Sequence, residues 1–276
     1  PETFSDPERL DKAASAAIPG PLVNTNTSET QVWTARHKWE DRDTGEARKA
    51  GITWGENSGL NWDEKYALWV ESMPRVRGVN DWDTFTLTTP YGRSFPMPKL
   101  ECSEVAIFLR IAFASWYGLP FYMTATDSSG TRVYFGHFGA RTVSQRYKTM
   151  PRYALQYKDH TATWREGQAW PKDQALRGKT LGGGGDDNDF IAPGAKTGAY
   201  MDEIFLNKRA AFLVLKVLDN FGSMHLVDAT RNTFNLVPSA IRAGDILVER
   251  WQRSGIGHTI VVKSVSPLEE GRLDVE

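Results

Sequence analysis

The chain has 276 residues, enough for one large domain or two modest ones around a sizeable core. Its formal net charge is −1, with 40% hydrophobic and 24% charged residues, so no basic field points to nucleic acid or an anionic membrane. One cysteine excludes an intrachain disulfide framework and a cysteine-rich zinc site, and five scattered histidines give no catalytic zinc pattern.

No apolar run approaches the ~20 residues of a membrane span. No signal peptide is read, and a start at Pro1 rather than Met is consistent with a removed leader or tag. Nothing resembles a phosphate loop or a dinucleotide fingerprint, so no cofactor and no metal are expected.

Residues 1–97 read as a Trp-rich N-terminal extension. A short helix is expected near 7–17, followed by an extended polar segment. Ten tryptophans are many. They have two readings: aromatic packing, or a cleft whose indole faces stack on glycan or peptide. Trp62, Tyr66 and Trp69 recur at i, i+4 and i+7, which predicts a helix over 61–72. Alternation of Phe85 and Leu87 predicts a strand over 83–88, and Tyr91-Gly92 and Pro96-Met97-Pro98 punctuate the approach to Cys102.

The clearest amphipathic pattern begins at Cys102. Val105, Ala106, Leu109, Ala112, Phe113 and Trp116 form its apolar stripe, with Cys102 on that stripe, and Gly118 ends it. Strands over 121–126 and 131–135 flank the hairpin signal Ser128-Ser129-Gly130. Residues 139–199 read as a mobile inserted loop, with Gly182 to Gly185 in a row and then Asp186-Asp187-Asn188-Asp189. That acidic run has the oxygen chemistry of a calcium loop but not its alternating spacing, so a solvated loop is the favoured reading. A helix is expected over 201–218. Strand-like pieces then come at 225–229, 245–250, 258–265 and 272–275. Helices first and strands clustered at the end predict an α+β fold.

Cys102 and His258 carry the chemistry. A thiol attacks only as thiolate and needs a base or a local field to lower its pKa from ~8.5. A helix start supplies part of that field, while Glu101 and Glu104 oppose it, so an imidazole is required. Strand alternation places His258, Ile260 and Val262 on one face, expected to pack under the Cys102 helix. Gly255 and Gly257 beside the histidine are expected to leave room for a substrate backbone.

Glu101-Cys102-Ser103 opening a helix, Gly244-Asp245-Ile246-Leu247-Val248 as a strand and Gly257-His258-Thr259-Ile260-Val261-Val262 as the next strand together resemble the NlpC/P60 and CHAP group of papain-like cysteine hydrolases. The resemblance covers about 98–134 and 236–276. It implies a catalytic core over 98–276 with the 139–199 insertion, a nucleophile helix packed on a small antiparallel sheet, Cys102 as nucleophile and His258 as base. A polar residue from a following strand would orient the imidazole, and Asp274, Glu276 or a residue past position 276 is the choice. The implied substrate is a cell-wall peptide or another peptide amide, and the implied compartment is periplasmic or extracellular. The chain departs from the family in three ways: Glu101 replaces the usual aspartate, 156 residues separate positions 102 and 258, and the chain stops at Glu276.

Two further arrangements are open. Val227-Asp228-Ala229-Thr230 resembles the aspartate strand of a transglutaminase-like fold, with His225 nearby, although three-residue spacing puts His225 and Asp228 on opposite faces of a strand. His137 sits beyond the early hairpin, either lining the cleft or as a plain hairpin-end residue. The functional alternatives are a non-catalytic binding or structural protein that keeps the fold, and thiol acyl transfer in place of hydrolysis.

Overall fold

The computed structural model describes residues 8–11, 20–21, 29–42, 50–51, 53–55, 57–79, 82–147, 150–182, 188–227, 231–250 and 257–276. In chain order the elements are α1 (Trp62–Glu71), β1 (Arg75–Val79), β2 (Trp82–Thr88), β3 (Ser94–Pro96), α2 (Cys102–Tyr117), β4 (Tyr122–Thr126), β5 (Arg132–Gly136), β6 (Gly139–Arg141), α3 (Tyr153–Gln156), α4 (Gln174–Arg177), α5 (Thr197–Ile204), α6 (Lys208–Leu218), α7 (Ser223–Leu226), β7 (Ile246–Glu249), β8 (His258–Val261), β9 (Val265–Pro267) and β10 (Leu273–Val275). The strands form small antiparallel sheets in the orders β1-β2-β3, β4-β5-β6, β7-β8 and β10-β9. The class is α+β, as expected.

α2 is the axis of the molecule. Its N-cap is Glu101, whose backbone N–H donates to Glu104 Oε2 at 2.8 Å, and its C-cap is Gly118 in the left-handed region at φ 62°. From Ala106 to Tyr117 only Arg110 and Ser115 escape full burial, so the helix is apolar nearly all round rather than on one stripe. It packs on β8 on one side and on α6 on another.

Trp33, Trp39, Trp54, Trp62 and Trp69 of the 1–97 segment belong to the same core. Trp39 stacks on Phe113 at 6.1 Å, Trp62 lies 4.8 Å from Tyr117, and Trp69 meets Trp116 edge-on at 5.5 Å. The aromatic-packing reading therefore holds for these rings. The chain boundary expected at 97/98 does not divide the core, because buried residues on both sides of it form one cluster. α1 is fixed by a capping box: Asn61 Oδ1 accepts from Glu64 N–H at 2.8 Å, and Glu64 Oε2 accepts from Asn61 N–H at 2.7 Å.

Three expectations on secondary structure need correction. The helix over 201–218 is two helices, because Phe205 leaves α5 in extended geometry and Asn207 recaps α6 by accepting from Arg209 N–H at 3.0 Å. The strand over 225–229 is instead the helical turn α7, with 228–230 outside the described residues. The helix over 7–17 lies mostly outside the described residues, and Leu10 within it forms an antiparallel bridge with Leu236.

The 139–199 segment is short of long elements yet docked. Met150, Tyr153, Leu176 and Leu181 are buried in the common core. Asp202, fully buried, accepts from Asp173 N–H at 3.1 Å and pairs with Arg177 at 3.1 Å and Lys208 at 2.8 Å. Of the acidic run, 186 and 187 lie outside the described residues, as do 183–185 of the glycine run. Asn188 is buried and binds Lys99 N–H and Thr197 Oγ1, and Asp189 accepts from Gly194 N–H at 2.7 Å. These two side chains pin the loop.

Candidate functional site

Cys102 occupies the first position of α2, half-buried. First-turn N–H groups of a helix have no intrahelical acceptor; the Glu101 side chain takes that of Glu104, and those of Cys102 and Ser103 lie beside the thiol. Cys102 Sγ lies 3.9 Å from Ser223 Oγ, and Ser223 Oγ is 3.0 Å from Thr259 Oγ1. A chain of hydroxyls thus joins the start of α2, the start of α7 and the inner face of β8.

The pairing of β7 with β8 fixes which face His258 takes. The register sets Ile246 opposite Val261, Val248 opposite Thr259, and Glu249 opposite His258. Ile246, Val248 and Val261 pack on the core and Thr259 is 2% exposed, whereas Leu247 and Ile260 are 47% and 48% exposed. Successive strand residues point to opposite faces, so His258 shares the outer face with Ile260. The expected face is therefore corrected within β8: Thr259 and Val261, not His258 and Ile260, lie under the helix, while Val262, one residue past the strand, is buried. Among the described residues no hydrogen bond joins Cys102 to His258. Alternation gives the two faces of the strand, but a thiol beside it does not say which parity is buried.

The room expected beside the histidine is filled. A Cβ on Gly257 would stand 2.9 Å from Arg250 O and 3.1 Å from Ser223 Cβ, so this glycine permits the approach of Ser223 rather than of a ligand. Gly255 lies outside the described residues.

Asp274 and Glu276 are not brought to His258. Asp274 is exposed on β10 opposite Ser266. Glu276 pairs with Arg75 at 3.6 Å and accepts from Ser264 Oγ at 3.3 Å, and its backbone carbonyl accepts from Lys263 N–H at 2.7 Å. The chain turns after Val261 to make the separate β9-β10 hairpin, which carries both carboxylates to the far end of β8. The carboxylate residue opposite His258 is Glu249, whose Cβ is about 4.5–5.5 Å away by strand geometry. Sequence reasoning missed it. The signal was the hairpin itself, because pairing Ile246 with Val261 fixes Glu249 against His258. Ser223 carried no such signal, since its contact with Cys102 spans 121 residues.

His137 and His225 are structural. His137 is 4% exposed, with its Nδ1 beside the backbone of Phe121, and burial drives its pKa down to about 4. His225 Nδ1 accepts from Gly222 N–H at 3.1 Å, its ring packs on Phe221 at 4.9 Å, and burial lowers its pKa. Asp228 lies outside the described residues.

Asp245 of the Gly-Asp strand motif also has a structural task. It accepts from Arg242 N–H at 2.9 Å and pairs with Arg9, while Asp63 takes Arg110 at 2.8 Å, Arg242, and Arg9 at 3.8 Å. Burial raises the Asp245 pKa. Burial alone would raise Asp63 too, but Arg110, Arg242 and Arg9 outweigh it and hold that carboxyl below its ordinary value. Gly244 sits at φ +84°, and a Cβ there would meet Tyr66 Cε1 at 2.5 Å, so only glycine fits ahead of Asp245.

Among the described residues a cavity of about 560 Å³ lies at the C-terminal end of α2, and two others border its middle and its Cys102 end. The larger, about 850 Å³, runs off the Ala106–Arg110 face past the Asp63 charge cluster and does not include Cys102. The smaller, about 260 Å³, opens beside Cys102 between α2 and the inner face of β8. Among the described residues no group of three His, Cys, Asp or Glu side chains could hold a metal ion, and no helix is long and apolar enough to cross a membrane. Comparison with protein-family models, with curated proteins and with solved structures finds no match to this chain.

Proposed function

We propose that the protein is a thiol-dependent amide hydrolase of papain-like architecture, with Cys102 as its nucleophile. One observation carries the reading. The chain's single thiol stands half-buried at the start of a 16-residue helix, packed on the strand that begins with His258. The Cys102 thiolate attacks the amide carbonyl, and the carbon–sulfur bond forms as the carbon–nitrogen bond breaks. The imidazolium that took the thiol proton returns it to the departing amine. Water then attacks the thioester, giving up one proton to the imidazole and its hydroxyl to the acyl carbon, and the sulfur leaves to be reprotonated. First-turn N–H groups of α2 face the developing oxyanion.

His258 is the base in this reading. It directly precedes Thr259, which Ser223 links to the thiol. Asp274 and Glu276 take no part. The resemblance supplies the substrate class, a peptide amide of the cell-wall type met outside the cytoplasm. The outward placement of His258 favours a second reading, a non-catalytic chain that keeps the fold. Acyl transfer differs from hydrolysis only in the acceptor.

The test is incubation with a panel of synthetic peptide amides, including muropeptide-type peptides, read by mass spectrometry. Released amine and an acyl adduct on the Cys102 peptide are expected, with both lost in Cys102→Ser. Equal turnover by Cys102→Ser would overturn the proposal.

A further inference from the structure

The cavity beside Cys102 has a chemistry of its own. Val70 of α1, Met73 just past its C-cap, Phe85 of β2, Met97, Leu109 of α2 and Val261 of β8 wall it. Val70, Met73, Met97 and Leu109 are 2–6% exposed, so these walls are core side chains and not surface residues. Besides the thiol it has three polar side chains, Thr84, Thr259 and Lys263, and the last two are engaged. Lys263 donates its ammonium to the Glu71 carbonyl, and Thr259 Oγ1 bonds Ser223. A charged or strongly polar occupant would give up its hydration there for few partners in return.

Size narrows the occupant further. At about 260 Å³ the cavity falls below the ~300–1,000 Å³ of sites that enclose whole small molecules. It suits one large side chain, and an alanyl methyl would leave most of it empty. Two of its walls are methionines, whose unbranched thioethers adapt to differing shapes.

We infer that this cavity is the specificity pocket of the Cys102 site, taking one large apolar side chain, aliphatic or aromatic, from the acyl portion of a peptide substrate. This inference rests on the reading of Cys102 as nucleophile. It narrows the substrate class to peptides that carry a bulky apolar residue next to the scissile amide.

The experiment needs no natural substrate. Cys102 in the full chain is alkylated with iodoacetamide and, separately, with N-benzyl iodoacetamide, and the ratio of the two rates is compared with that of glutathione. The folded protein should favour the benzyl reagent at least about tenfold over the glutathione ratio. Val261→Phe and Leu109→Phe, which fill the cavity from opposite walls, should each return the ratio to the glutathione value while iodoacetamide still reacts. Thermal melts of both variants establish that they are folded, and either one suffices. A glutathione-like ratio in the unaltered protein overturns the pocket and leaves the nucleophile standing. A benzyl preference that survives both filled variants also overturns it. Failure of both reagents to react until the protein is denatured overturns the nucleophile and the pocket together.

Discussion

His137 is enclosed by Trp33 and Phe138 and holds its Nδ1 against the Phe121 backbone. Burial lowers its pKa from 6.5 to about 4. Between pH 6.5 and 4 the unfolded chain binds a proton that the folded chain refuses, so stability falls as the pH drops through this window. The full loss is on the order of 3 kcal/mol. Urea titrations at pH 7 and pH 4.5 should therefore show a fall in unfolding free energy that shrinks in His137→Gln. An equal fall in both proteins would place the acid sensitivity elsewhere. The Cys102 environment is the opposite case, a thiol left half-buried among small hydroxyls where a core helix starts.

At the scale of elements, the break between α5 and α6 shows how one side chain sets a helix boundary. Asn207 accepts from Arg209 N–H and also donates to Val32 O at 2.8 Å, tying α6 to the N-terminal segment. Asn207→Ala should cost about 1–2 kcal/mol through the cap alone, with more from the orphaned Val32 carbonyl. Chemical denaturation checks this, and a change below about 0.5 kcal/mol would contradict it. Apolar periodicity runs straight through this position, since Phe205 and Leu206 are as buried as their helical neighbours. The same periodicity is sufficient for α1 and α2, where Asn61 and Gly118 add cap chemistry that sequence displays directly. Local signals also place β4, β5 and the Gly-Asp strand. They do not settle the orientation of β8. Its faces differ only by which neighbour covers them, and the neighbours that bury Thr259 are a helix start and Ser223, far apart in sequence. Cys102 at a helix start is legible in the sequence; its partner side chain is not.

Across the whole molecule, one buried charge cluster gathers four distant segments. Asp63 of α1 meets Arg9 near the N-terminus, Arg110 at mid-α2 and Arg242 ahead of β7, with Arg110 also lying 3.5 Å over the Trp39 ring. Removing the shared carboxylate leaves Asp245 to face three guanidinium groups, and breaking such a buried pair costs about 3–5 kcal/mol. Asp63→Asn should lower the denaturation midpoint accordingly and loosen the N-terminal segment and β7 together in hydrogen exchange. Loosening confined to α1 would contradict a clamp that spans the molecule. This clamp and the Asp202 network hold the two sides of α2, so the Cys102 end of that helix is presented by a fixed frame.

The central claim is that Cys102 is a nucleophile served by His258, and the pH dependence of its alkylation tests that most directly. In the folded protein the iodoacetamide rate should already rise below pH 7. In His258→Ala the rise should move toward the ~8.5 of an ordinary thiol. A profile that is the same in the two proteins would remove His258 from the mechanism, and a thiol that reacts only after denaturation would contradict the nucleophile itself.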